Sequence, residues 1–281
     1  MFTATSAFIG LVPGSLILKK IGMAFRFAVK HKVLRDVGIT SAEKLSEVLD
    51  VLRSFDGTSA REAHKTLIEV TDSLKSLSIR SSDEIVELLG SLKSSGVTRD
   101  GIKGVLESAT KIGAKTTEVI REYAAVLSKY KIDPPKWPDG ISFNSNLKKH
   151  MSQLDGFTQQ AGVKGAHNMK NFDNVVSDKG IRIVSRRPTG VEGIYQVEYQ
   201  IPKLDSELKP VPGEFKAQVF PKTVYDPDVM PDSEMLLLSQ IAAGSSAEYV
   251  STGTKAFNST VGGVDFRVYL RDGVVTNVHP R

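Results

Sequence analysis

The sequence contains no cysteine, and histidine and tryptophan are scarce, with five and one among 281 residues. The absence of cysteine excludes a disulfide framework, thiolate metal ligands and cysteine nucleophiles. It does not fix the cellular compartment, because exported proteins can also lack cysteine. Proton transfer near neutral pH must therefore depend on few side chains, since histidine is the residue whose ordinary pKa lies in that range.

Long hydrophobic runs are also missing, and no stretch reaches the ~18–20 apolar residues that span a bilayer. The apolar residues 7–18 are interrupted by Pro13 and Gly14 and have no basic residue ahead of them, unlike a cleavable signal peptide. The basic residues 19–35 have two interpretations: a helix with one buried and one solvated face, which we favour, or a segment that touches a membrane surface. We expect no stable membrane span.

The composition is that of a globular protein, with 40% hydrophobic and 25% charged residues. A chain of 281 residues is long enough for two domains at roughly 100–200 residues each. The net charge is +5, but residues 141–281 contain 16 basic and 15 acidic side chains. A polyanionic ligand of that half would therefore have to bind to a local basic patch.

The first part of the chain, residues 1–135, has the pattern of successive amphipathic helices. Apolar residues recur at three- and four-residue spacing, and each segment follows a side chain that can accept the free N–H groups of a first turn. These features predict an all-α region, arranged as a bundle or a small solenoid. The start signals are Ser41, Ser59, Ser82, Thr98 and Thr116.

A proline-rich segment, residues 132–140, marks the predicted boundary. Three prolines within five residues cannot continue a helix and favour an extended linker, in which we expect Trp137 to pack on one neighbour. The pattern beyond it changes to short helices and then to period-two segments, with a hairpin signal at Asp272-Gly273. We predict an α+β protein: an all-α region, then an α+β domain at residues 141–281 with antiparallel sheets.

Two histidines and one lysine in this second half suit the cleavage of RNA. RNA carries its own nucleophile, the 2′-hydroxyl, so an enzyme needs a base, an acid for the departing 5′-oxygen and a cation for the charge of the phosphorane. His150 and His167 lack a second histidine at helical spacing, and a zinc site is therefore a poor interpretation. The residues alone do not show which of them act together.

A resemblance to the EndoU toxin domain of bacterial endoribonucleases indicates which of these residues act together. Each of the motifs that carry it is weak alone, but they occur in the family's order and together cover about half of the chain, residues 141–281. The motifs lie at residues 143–159, 165–169, 193–199, 221–227 and 275–280.

The resemblance implies a two-lobed, β-rich nuclease with a shared cleft, in which the catalytic histidines are His150 and His167 and the catalytic lysine is Lys222. We assign His167 as the base on the 2′-hydroxyl and His150 as the acid, although the two roles could be exchanged. Lys222 would stabilise the phosphorane. The expected products are a 2′,3′-cyclic phosphate and a 5′-hydroxyl end, and neither a metal nor another cofactor is expected.

Five further residues are candidates for binding the substrate. By the resemblance, Thr276 or Asn277 would hold the nucleobase and ribose together with His279, which stands where the family usually has tyrosine and leaves the base preference open. Arg186 could contact phosphate or be a solvated strand end. Tyr225 could stack on a base or pack in the interior.

Toxins of this family carry the nuclease at the extreme C-terminus, and the matching motif here ends close to Arg281. The resemblance thus implies a toxin that is secreted or delivered into the cytoplasm of a competing cell, where it cleaves RNA, with tRNA as a candidate. The helical residues 1–135 would be a pretoxin, translocation or docking module, and a cognate immunity protein is the expected partner.

The alternative is a catalytically inactive module that keeps the EndoU shape and binds RNA or protein. The loss of the usual terminal tyrosine favours this alternative, whereas the presence of both histidines and the lysine argues against it.

Overall fold

The computed structural model describes residues 32–138, 140–244, 249–250 and 252–281. The interpretations of residues 7–18 and of most of residues 19–35 lie outside this range. Contacts divide the chain into a unit that ends at Lys129 and a unit from Tyr130 to Arg281. No helix of the described residues is long and apolar enough to cross a membrane.

The first unit is helical, as predicted. Its helices begin where serine and threonine side chains accept backbone N–H groups of the first turn, as Ser41, Ser59 and Thr98 do. One cap is Ser81 rather than the predicted Ser82. The helices are α1 (Lys32–Arg35), α2 (Ala42–Arg53), α3 (Ala60–Ser76), α4 (Ser82–Ser94), α5 (Arg99–Lys111) and α6 (Thr117–Tyr130).

The second unit combines helices with antiparallel sheets, which confirms the predicted α+β class. Its elements are β1 (Ser142–Phe143), α7 (Leu147–Ser152), β2 (Leu154–Thr158), β3 (Gly162–Gly165), α8 (Met169–Asp178), β4 (Arg182–Pro188), β5 (Ile194–Gln200), β6 (Pro202–Leu204), β7 (Pro210–Phe215), β8 (Phe220–Tyr225), α9 (Asp232–Gly244), β9 (Ala256–Val261), β10 (Val264–Arg271) and β11 (Val274–Pro280).

The second unit contains two larger sheets. One has the order β4-β5-β8, and the other has the order β1-β11-β10-β9. All of their pairings are antiparallel except that of β1 with β11. The β10–β11 hairpin turns at Asp272 and Gly273, both at positive φ, as the sequence predicted.

The β4-β5-β8 sheet forms one apolar core together with α8. Phe172 of α8 packs edge-on against Tyr199 of β5, and Tyr199 stacks on Phe220 of β8. The Tyr199 hydroxyl accepts the backbone N–H of Val163 at 2.8 Å, which ties β3 to this sheet. The loop between β3 and α8 is therefore held against a rigid layer.

The proline-rich segment belongs to the second unit and packs within it, instead of forming a free linker. Pro135 lies so close to Gly244 that a Cβ on the glycine would come within 2.3 Å of the Pro135 Cβ. Trp137 meets Phe143 edge-on, with 5.6 Å between ring centroids. Proline prevents a helix here, but it leaves the side chains free to pack.

Candidate active site

The loop between β3 and α8 fixes the position of His167. Gly165 has φ of 69°, and a Cβ there would come within 2.4 Å of the Gln153 carbonyl oxygen, so the close approach requires glycine. The His167 backbone N–H donates to the Met151 carbonyl, and its carbonyl accepts the Tyr225 N–H, both at 2.8 Å. Backbone bonds thus hold this residue on both sides.

The His167 side chain is buried, with 6% exposed. Its Nδ1 lies 2.8 Å from the Thr223 carbonyl oxygen, which can only accept, so Nδ1 carries the proton and Nε2 has a free lone pair in the neutral ring. Burial and then the nearby Lys222 ammonium lower the pKa of His167 well below its ordinary value. The ring is neutral at pH 7 and can accept a proton.

His150 comes from α7 and points its ring at the same place. Its ring centroid lies 5.8 Å from that of His167. Its Nδ1 is hydrogen-bonded to the Asp155 carboxylate at the start of β2. A carboxylate at one ring nitrogen orients the ring.

Lys222 extends from β8 and is also buried, with 9% exposed. Burial lowers its pKa to about 7, because no bulk water solvates the ammonium. Among the described residues, no carboxylate forms an ion pair with it. Its Nζ lies 5.8 Å from the centroid of the Phe172 ring. An anion that entered beside this lysine would therefore meet an uncompensated cation.

Strand β11 contributes His279 and Asn277 to the same place. The His279 ring stacks on His167, with 5.0 Å between centroids and 8° between planes, and its centroid lies 6.4 Å from that of His150. Its Nδ1 lies 3.0 Å from the Pro280 carbonyl oxygen, and burial lowers its pKa. The Asn277 Oδ1 is buried without a hydrogen-bond partner in the described structure.

These groups line one cavity of about 650 Å³, which we call the histidine cavity. The structure thus brings together five of the predicted residues: His150, His167, Lys222, Asn277 and His279. Within the described part of the chain, no group of three or more His, Asp or Glu side chains is placed to hold a metal ion. The arrangement offers a neutral base, an imidazole backed by a carboxylate and a buried cation.

Sequence reasoning missed several residues of the histidine cavity. Asp155 is the most informative, because only the turn from α7 into β2 brings it back to His150, five residues earlier in the chain. The sequence signal was a carboxylate within the same motif as the histidine. The other lining residues with polar side chains that had not been predicted are Lys164, Gln196, Glu198, Thr223 and Arg281.

Three predicted residues lie elsewhere. Tyr225 is fully buried and donates its hydroxyl to Asp232 at 2.6 Å, so it has no free face for a nucleobase. Arg186 forms an ion pair with Asp173 and does not line the histidine cavity. Thr276 lines a neighbouring cavity.

Tyr225 instead belongs to a network that holds the His167 loop. Asp232 accepts hydrogen bonds from the Tyr225 hydroxyl and from the Asn168 amide, the latter at 2.7 Å. Asn168 is the cap of α8 and directly follows His167. The tyrosine therefore packs and positions, which is one of the two interpretations that the sequence left open.

Comparison with known proteins shows that the chain is similar to nucleases. No protein-family profile matches it. It is similar to two curated proteins, both named tRNA nuclease CdiA. The Escherichia coli (strain STEC_O31) protein is 43% identical over 152 residues, which are 52% of this chain and 5% of that protein. The Yersinia mollaretii (strain ATCC 43969) protein is 35% identical over 198 residues, which are 69% of this chain and 6% of that protein.

The chain spans about a twentieth of the length of these relatives. The match with the Yersinia protein, at 198 residues, is longer than the whole unit from Tyr130 to Arg281. The similarity therefore includes part of the helical unit.

Proposed function

We propose that this chain is an endoribonuclease toxin of the EndoU type that cleaves tRNA. The observation that carries the proposal is the convergence of His150, His167 and Lys222 on one cavity. Both relatives are named tRNA nucleases, which supports a tRNA substrate. The resemblance to EndoU toxin domains supports delivery into a target cell and inhibition by a cognate immunity protein.

His167 acts as the base in this proposal. Its Nε2 takes the proton of the ribose 2′-hydroxyl, because Nδ1 is held by the Thr223 carbonyl and the ring is neutral. The 2′-oxygen then forms a bond to phosphorus. Lys222 stabilises the negative charge that grows on the phosphoryl oxygens.

His150 acts as the acid. Asp155 orients the ring through Nδ1, and Nε2 gives its proton to the 5′-oxygen when the bond of that oxygen to phosphorus breaks. The products are a 2′,3′-cyclic phosphate and a 5′-hydroxyl end. The reaction uses only the substrate's own nucleophile and side chains of this chain, and we propose that it requires no metal ion.

The full chain should cleave tRNA in the presence of EDTA and leave cyclic-phosphate ends that mass spectrometry identifies. His167→Ala should lower the rate by about 10²–10⁴-fold, the range for one proton-transfer group. His64→Ala is the matched control, because His64 lies in α3 of the helical unit and should leave the rate unchanged.

Other results would decide against the proposal. Cleavage that disappears with EDTA would refute the metal-independent mechanism. Intact RNA that nevertheless binds to the protein would support the inactive binding module. Equal rates for His167→Ala and the unsubstituted chain would remove His167 from the reaction.

A further inference from the structure

A second cavity of about 650 Å³ lies beside the histidine cavity, and we call it the β10 cavity. Its lining includes Lys255, Tyr269, Arg271 and Thr276. Residues adjacent in the sequence line the two cavities: Thr276 lines the β10 cavity, and Asn277 lines the histidine cavity.

A break in strand register places two consecutive residues of β11, Thr276 and Asn277, on the same, less buried face of the strand. Tyr269 pairs with Asn277, whereas the next residue, Leu270, pairs with Val275, so Thr276 is the extra residue of a bulge. A bulge changes the direction of the side chains that follow in the strand. The Tyr269 ring stands between the cavities, with its centroid 5.7 Å from that of His279.

The exposed face of β10 continues away from the histidine cavity. Asp265, Arg267, Tyr269 and Arg271 alternate with buried residues along this strand, and alternate residues of a strand are about 7 Å apart on one face. The Arg267 guanidinium lies 5.8 Å from the Tyr269 ring centroid. A cationic and aromatic face therefore leads from the first cavity to the second.

The β10 cavity carries cations without acidic partners. Lys255 and Arg271 are exposed, and neither forms an ion pair within the described part of the chain. Of the described residues that line this cavity, Asp272 is the only acidic one. Exposed cations beside an aromatic ring are the combination that binds the backbone and bases of single-stranded RNA.

We propose that the β10 cavity binds the stretch of RNA that adjoins the cleaved bond, with Lys255 and Arg271 contacting backbone phosphates. This inference rests on the proposed nuclease function and extends its substrate site by a second, separate subsite. A substrate of only two nucleotides fills the histidine cavity alone. A long substrate such as tRNA occupies both cavities.

The test is a comparison of substrate lengths in the full chain. In Lys255→Ala/Arg271→Ala, kcat/KM for tRNA should fall about tenfold, mainly through KM, because two phosphate contacts are lost. The rate on a dinucleotide of the sequence that is cleaved in tRNA should stay unchanged. The slope of log KM against log salt for tRNA should decrease by about 1.4, at about 0.7 for each phosphate contact of a single strand.

Lys179→Ala/Lys209→Ala is the matched control, since it removes the same charge from exposed positions that do not line the β10 cavity. It should leave both substrates unaffected, and thermal unfolding should show that both double variants are folded. Unchanged tRNA kinetics in Lys255→Ala/Arg271→Ala would overturn the inference, and so would an equal loss on the dinucleotide. If the unsubstituted chain cleaves neither substrate, the nuclease proposal itself fails.

Discussion

The buried Lys222 lowers the stability of the fold. The proposed reaction explains why a lysine is nevertheless found there. Its ammonium is buried, and among the described residues no carboxylate compensates it. Its pKa of about 7 means that the folded state binds fewer protons than the unfolded state between about pH 7 and its ordinary value near 10.4. The destabilising effect of this lysine is therefore fully present below about pH 7 and decreases as the pH rises above that value.

Lys222→Met should raise the free energy of unfolding at pH 7 by on the order of 2 kcal/mol and abolish RNA cleavage. The gain should become smaller from pH 7 to pH 9, because the native lysine loses its charge in the folded state. Urea unfolding at both pH values measures this. Lys179→Met, at an exposed position, should show no gain. A loss of stability in Lys222→Met would contradict the predicted burial cost.

The pH dependence of kcat/KM should be bell-shaped, since the free enzyme needs a neutral His167 as the base, a protonated His150 as the acid and a charged Lys222. Activity rises above the lowered pKa of His167 and falls as Lys222 loses its proton near pH 7. Lys222→Arg keeps its charge throughout. It should move the alkaline limb upward by at least about one pH unit, and an unmoved limb would assign that limb to His150, the proposed acid.

At the scale of elements, the proline-rich segment depends on a close contact with α9. Gly244→Ala should lower the free energy of unfolding by about 1–3 kcal/mol, because the new Cβ overlaps Pro135. Gly90→Ala is the matched control: it is also a helical glycine, but it has no atom near the added Cβ. It should raise stability by about 0.5–1 kcal/mol. Equal effects in urea unfolding would contradict the packed segment.

Elements with local signals were predictable from the sequence, and elements that depend on distant contacts were not. Caps and periodicity located the helices, and Asp272-Gly273 located a hairpin. The parallel pairing of β1 with β11 joins segments far apart in the chain, and no local pattern encodes it. The bulge at Thr276 is likewise a property of strand pairing.

The candidate site was partly predictable for the same reason. The motifs contained His150, His167 and Lys222, and the fold brings these three residues into one cavity. The partners that orient them come from other elements, as with Asp155 for His150 and the Thr223 carbonyl for His167. The spacing of residues along the chain does not predict such contacts.

At the scale of the molecule, each unit has its own core. Leu67 of α3 is fully buried in the helical unit, so Leu67→Ala should lower the stability of that unit by about 2–5 kcal/mol. RNA cleavage by the full chain should remain unchanged at temperatures where both units are folded. Calorimetry and a cleavage assay on the same sample measure this. A loss of cleavage without unfolding would show that the helical unit contributes to the reaction.

The three imidazoles of the histidine cavity share a feature that bears on how they react. Each uses Nδ1 to contact an oxygen of the protein: the Asp155 carboxylate, the Thr223 carbonyl or the Pro280 carbonyl. A half-turn of any ring about its Cβ–Cγ bond would break that contact, so flipping is opposed before RNA arrives. The tautomers are thereby set in advance, and substrate entry requires no reorientation of the rings.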